Sequence, residues 1–126
     1  MKRRVRSLLG TLGQQRGRER EAMVSMAFRE SPTIKPEWYR GFRIATKKQD
    51  RRKIDAIVET DIGDIYIQIK SSLSGIKKFQ SERGCRPIAA IIVNVDDSDE
   101  AIRQKVFAAA LPLHDHFLAK RAVTQI

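Results

Sequence analysis

Two short runs in the middle of the chain alternate between apolar and polar residues with a period of two. Ile54, Ala56 and Val58 alternate with Asp55, Ile57 and Glu59; Ile65, Ile67 and Ile69 alternate with Tyr66, Gln68 and Lys70. Such alternation marks half-buried strands, and with Asp61-Ile62-Gly63-Asp64 between them the two runs predict a β-hairpin. Around the hairpin the period is helical. Ala22, Met23, Met26, Ala27 and Phe28 predict a helix over 17–30. It stops at Ser31-Pro32, because the residue before proline avoids the α region. A loop over 32–41 leads to a short strand from Phe42 to Thr46 and a basic loop from Lys47 to Arg52. After the hairpin, residues 75–83 suit a helix with Ser74 as N-cap and Gly84 beyond its end. Ile88 to Val95 is almost continuously apolar, which predicts a strand covered on both faces. Ser98 caps a further helix, with Asp99 and Glu100 in the first turn, where the helix dipole favours acids. Ile102, Val106, Phe107 and Ala110 form its inner stripe, Pro112 its end, and 113–126 holds one more short helix. The predicted order is α-β-β-β-α-β-α, an α/β fold with a central mixed sheet flanked by helices. Order alone is shared by many unrelated domains.

A length of 126 residues fits one domain. Residues 1–16, broken by Gly10 and Gly13, read as a basic arm, and 17–126 as the domain. The apolar runs are too short for a transmembrane span. Met1-Lys2-Arg3-Arg4 has the charge of a secretory leader, but Leu8-Leu9 before Gly10 is too short for its apolar core. The single Cys85 excludes an internal disulfide, which fits a reducing, cytoplasmic setting.

Charge adds a partner to this picture. The net charge is +10, and it is concentrated: residues 1–20 carry a net +6 and residues 34–53 another +6. Blocks of this kind neutralise phosphate backbones and release counterions, so nucleic acid is the expected partner. The candidate contacts are Arg3, Arg4, Arg16, Arg18, Lys47, Lys48, Arg51, Arg52, Lys77 and Lys78. A merely solvated basic face is the plainer alternative.

The hairpin gives that partner a chemistry. If Ile62-Gly63 is a two-residue turn, Asp55 sits opposite Lys70 and Ile57 opposite Gln68. Opposed residues in an antiparallel pair project from the same face. Asp55, Gln68 and Lys70 then share one face, with Ile54, Ile65, Ile67 and Ile69 on the other; a one-residue slip would separate them. A carboxylate such as Asp55 can hold Mg²⁺ beside a scissile phosphate. The side-chain oxygen of Gln68 and the backbone carbonyl of Ile69 add neutral oxygen ligands. Lys70 can orient water or steady developing charge. Taken singly, Asp55 and Lys70 read equally well as a cross-strand ion pair worth under about 1 kcal/mol, and Gln68 as a polar residue on a wet face.

The stretch KIDAIVETDIGDIYIQIKSS, Lys53 to Ser72, resembles the PD-(D/E)XK core of restriction-endonuclease-like nucleases. Ile65-Tyr66-Ile67-Gln68-Ile69-Lys70 matches the I-x-I-Q-x-K strand of Mrr-type endonucleases. Glu19-Arg20-Glu21, Gly41-Phe42 and Lys70-Ser71 resemble, in order, features of archaeal Holliday junction resolvases. The resemblance covers roughly residues 17–110 and implies an α-β-β-β-α-β core and a metal-dependent endonuclease acting on DNA, with Mg²⁺ or Mn²⁺ as cofactor. Carried over by position, Asp55 is the metal-binding acid, Gln68 replaces the second acid, Lys70 is the catalytic lysine and Glu19 the helix acid that completes the metal shell, with Glu21 as alternative. Ile54 stands in place of the motif's proline. Gln68 lowers the charge of the site by one, and the Gly-Gly segment of Mrr enzymes before the aspartate is missing. Cutting two strands with one small site implies a homodimer. The alternative is a catalytically weak or inactive module that binds nucleic acid. Nothing in the residues separates DNA from RNA.

Other chemistry-bearing residues read as structural. His114 and His116 flank Asp115, but residues two apart do not share a helix face; they are expected at the surface. Cys85 has no catalytic partner at motif spacing. Trp38 and Tyr39 read as core anchors before they read as a stacking platform for bases. Lys77 and Lys78 open the helix after the motif, and Gln80, one turn on, is placed to face the site.

Overall fold

A computed structural model describes residues 17–46, 54–76 and 87–124. Helix α1 occupies 17–27, followed by strands β1 (Tyr39–Ile44), β2 (Ala56–Thr60), β3 (Gly63–Lys70) and β4 (Ile88–Ile92), and helix α2 (Asp99–Thr124). The sheet order is β1-β2-β3-β4. The first three strands are antiparallel neighbours, and β4 runs parallel to β3. The chain is thus mixed α/β with a four-stranded mixed sheet and flanking helices.

Alternation along the strands sorts the side chains between two clusters. Ala56, Val58, Ile65, Ile67, Ile69, Ile91 and Val93 join Val24 and Ala27 of α1 and Ile102, Val106, Phe107 and Ala110 of α2 in the main core. Tyr39 belongs to this core, and Phe28 stacks on Phe42 with ring centroids 4.3 Å apart. The opposite face of the sheet carries a smaller cluster of Ile54, Ile57 and Ile88, packed by Ala45, Tyr66 and Ala90. Ile54 therefore lies with Ile57, and not with Ile65, Ile67 and Ile69 as the alternation implies: it precedes the pleated part of β2.

The hairpin turns one residue earlier than the Ile62-Gly63 reading. Thr60 pairs with Gly63, and Asp61-Ile62 makes the turn. Gly63 has φ +125°, which an isoleucine would resist. Thr60 closes the turn by donating from Oγ1 to the Gly63 carbonyl (2.6 Å) and accepting the Ile62 amide (3.2 Å). Ile57 then faces Tyr66, where Gln68 was expected. The shift is two residues in pairing, so every side chain keeps its face.

Other boundaries move for local reasons. Helix α1 ends at 27, and β1 starts at Tyr39, three residues early, with an irregularity between Tyr39 and Gly41. The helical turn after β3 covers 73–76, and its cap is Ser72, not Ser74: Ser72 Oγ accepts the Gly75 amide (3.2 Å). The rest of the helix expected over 75–83, with Lys77, Lys78, Gln80, Gly84 and Cys85, lies outside the described residues. So do the arm over 1–16 and the basic loop. Strand β4 stops at Ile92, because Asn94 and Asp97 close a turn through the Asn94 amide on Asp97 Oδ2 (2.8 Å) and the Asp97 amide on the Asn94 carbonyl (3.0 Å). It is an edge strand with Ala89, Ala90 and Ile92 only half-buried, not a strand covered on both faces.

Helix α2 starts as expected, with Ser98 Oγ accepting the Ala101 amide (3.1 Å). It does not end at Pro112 but runs on to Thr124. An internal proline costs a helix about 3 kcal/mol. Burial of His114 and packing of Leu113 and Phe117 against the main core offset it.

Candidate active site

The candidate residues gather where β2 and β3 begin to part, at the end of the hairpin away from the turn. The register stops at Ala56 opposite Ile67; there the Asp55 amide donates to the Ile67 carbonyl (3.0 Å) and the alternation breaks, with Ile54 on the face of Ile57. Lys70 follows Gln68 two residues along the same face. Asp55 is thus not opposed to Lys70, the pairing that the Ile62-Gly63 turn implies. Its Oδ2 accepts the Ile69 amide at 2.8 Å. In this way the side chain takes over as acceptor where the β2 backbone turns aside; the Asp55 carbonyl goes instead to the Ala45 amide (3.0 Å). Within a strand the N–H and C=O of one residue leave from the same edge. The Ile69 carbonyl therefore also looks toward Asp55.

Burial sets the electrostatics. Asp55 and Gln68 are each only 6% exposed. Gln68 Oε1 is buried and has no hydrogen-bond partner. A buried carbonyl oxygen left in this state costs about 1–3 kcal/mol, and the Ile54, Ile57 and Ile88 side chains on that face of the sheet are apolar. A buried oxygen without a partner, and a buried carboxylate held by the amide of the following residue, are oxygen donors of the kind a hard cation takes. Asp55, Gln68 and the Ile69 carbonyl are the residues that could hold it.

Lys70 is half-buried, and its aliphatic stem passes close to Gly75. Its carbonyl accepts the Val93 amide (2.9 Å), and the Val93 carbonyl accepts Arg20 Nε (2.9 Å). Arg20, on α1, thereby fastens the carboxyl ends of β3 and β4. Glu19 is exposed, and the ion pair it makes is with Arg20 (3.9 Å). The structure joins Asp55 to Ile69, the chain neighbour of Gln68, and pairs Glu19 with Arg20 instead of with that group. Among the described residues, no three His, Cys, Asp or Glu side chains lie where they could hold a metal together. Arg18 is exposed on α1; the other candidate phosphate contacts lie outside the described residues.

A second polar cluster has no signature in the local sequence pattern. His114 is not at the surface but 5% exposed, with Nε2 2.9 Å from Asp61 Oδ1 in the hairpin turn. Its ring stacks on Trp38 at 5.0 Å, and Trp38 meets Phe107 edge-on. Asp61 is 53 positions from His114, so no local pattern could reveal the pair. Elsewhere, the Lys105 ammonium on Asp97 holds that carboxyl below its ordinary value. Burial first, and the Glu59 charge second, push the Tyr39 hydroxyl above its own.

Compared with protein-family models, curated proteins and solved structures, the chain matches none. Among the described residues, no helix is long and apolar enough to cross a membrane.

Proposed function

We propose that the chain is a metal-dependent endonuclease of the PD-(D/E)XK type that hydrolyses phosphodiester bonds in DNA. One observation carries the reading: the unpartnered, buried oxygen of Gln68, one residue before the Ile69 amide held by the Asp55 carboxylate and two before Lys70. The topology supports it. A helix, three antiparallel strands and a crossover to a parallel fourth strand follow the order that the sequence resemblance implies.

A divalent cation such as Mg²⁺ or Mn²⁺ supplies, when bound, the positive charge that a scissile phosphate requires. Asp55, Gln68 and the Ile69 carbonyl would hold it. Lys70 orients the attacking water and stabilises charge developing on the phosphate oxygens. Water adds to phosphorus, the bond to the leaving sugar oxygen breaks, and that oxygen ends protonated. Glu19 must leave Arg20 to join the metal shell. Two copies acting together would cut both strands of a duplex.

The test is cleavage of supercoiled, single-stranded and branched DNA with Mg²⁺ or Mn²⁺. Wild type is expected to cut and Lys70→Ala to fail; equal cutting by both removes these residues from the mechanism. A second reading, a nuclease-like module that binds nucleic acid without cutting it, is favoured by the lack of a three-acid group among the described residues. Salt-dependent DNA binding with no heat of Mn²⁺ binding by calorimetry would select it.

A further inference from the structure

We propose that the groove along the outer edge of β4 is a subsite for an unstacked nucleobase. It encloses about 650 Å³, inside the range of about 300–1,000 Å³ typical of small-molecule pockets. Its position links it to the site described above. In the parallel register Gln68 pairs with Ala90 and Lys70 with Ile92, and both Ala90 and Ile92 line the groove. Neighbouring strands lie about 4.8 Å apart. The groove wall therefore begins one strand spacing from the side chains assigned to the phosphate.

The lining has the chemistry of a base. Leu73, Ala90 and Ile92 give apolar walls against which a flat ring can lie, and Leu73 is exposed. Ser71, the residue after Lys70, and Asn94 add a hydroxyl and an amide able to donate and accept at the edge of a base. Ala108 closes the far side. The net charge of +10 favours polyanions as partners of the chain, and a nucleic acid is the polyanion that also brings flat rings.

A base inside a duplex is stacked and cannot enter such a groove. Extruding one costs the stacking and pairing it loses, least where the base is already mismatched or unpaired. The inference, which rests on the nuclease reading only for which phosphate lies at Lys70, is that the substrate strand carries an unpaired or flipped nucleotide next to the bond to be cut.

The test uses the full chain in EDTA and a duplex with one unpaired 2-aminopurine, whose fluorescence rises when it leaves the stack. Wild type is expected to raise it at least ~3-fold. Ala108→Phe fills the groove from an exposed helix position and should at least halve the rise, while affinity for a fully paired duplex stays within ~2-fold because phosphate contacts are untouched. Leu73→Ser, which strips the facing wall, should act the same way, with circular dichroism confirming that both variants fold. Equal responses from wild type and both variants overturn the subsite. So does an apolar dye that binds the groove and is not displaced by the oligonucleotide. Mn²⁺-dependent cleavage without any 2-aminopurine response overturns the subsite alone. A response lost in Ala108→Phe, with no cleavage by wild type in Mg²⁺ or Mn²⁺, supports the subsite and overturns the nuclease.

Discussion

At the turn end of the β2–β3 hairpin, Asp61 meets His114 from α2, and Trp38 from the segment before β1 stacks over the imidazole. Nearby, Arg43 reaches Asp64 at 2.9 Å and Glu59 at 3.8 Å. At the open end, Asp55 answers the Ile69 amide while Gln68 Oε1 answers nothing. The turn end draws its polar groups from several elements and ties them together. The open end takes them from one hairpin and leaves an oxygen idle in an apolar setting. Polar groups that fasten elements repay their burial in stability. A group kept buried and idle costs stability, and proteins tolerate such local violations at functional sites. Even at the turn end His114 Nδ1 has no hydrogen-bond partner, although Asp115 Oδ1 lies 3.5 Å away.

The comparison can be broken at either end. Lys70→Ala should lower the cleavage rate by about 10²–10⁴-fold, with a melting temperature close to that of wild type; an equal loss of stability would make Lys70 structural. Asp55→Ala orphans the Ile69 amide and should cost about 1.5–3 kcal/mol in denaturant unfolding as well as abolishing cleavage. His114→Ala should cost about 1–3 kcal/mol with cleavage intact; a large loss of cleavage would erase the distinction between the two ends. Gln68→Leu is the sharpest test. It removes an unsatisfied group while keeping apolar volume, so the protein should gain about 1 kcal/mol and lose Mn²⁺ binding by calorimetry. Destabilisation would mean that Gln68 serves the fold. The smallest effect belongs to Asp97 and Lys105. The Asp97 carboxyl is held below its ordinary value of 3.8, so its contribution is present above pH 3.8 and lost as pH falls through the lower folded value. The Asp97 side chain is half-buried, but its Lys105 partner is about a third exposed and the pair is screened, so Asp97→Asn should cost about 1 kcal/mol at neutral pH, and the difference from wild type should vanish in acid.

Period-two alternation placed β2 and β3 and the face shared by Gln68 and Lys70, because the pleat ties every second residue to one side. The register was harder. Ile62-Gly63 resembles a tight turn pair, yet such a turn needs a positive φ at Ile62, which a β-branched residue resists. The glycine instead takes its positive φ as the first residue of β3. Ser98 announced α2 through a local hydrogen bond. Pro112 misled, since what carries the helix past it is the burial of Leu113, His114 and Phe117 on distant partners. The same long-range cause hid the Asp61–His114 pair and the fastening of Lys70 through Val93 to Arg20. Only packing, which no window of sequence contains, brings those residues together.

Pro112 also has a kinetic meaning. The ladder of hydrogen bonds along α2 has a missing rung there, so the helix is two cooperative units in series. The first is anchored by Ile102, Val106, Phe107 and Ala110 in the main core. The second is held by His114 and Phe117, and its outward residues Leu118 and Val123 are exposed. Amide exchange should therefore drop in two steps along the helix: the segment after Pro112 opens and recloses while the first half stays protected, and its exposure to a protease reports that local opening and not the unfolding of the domain.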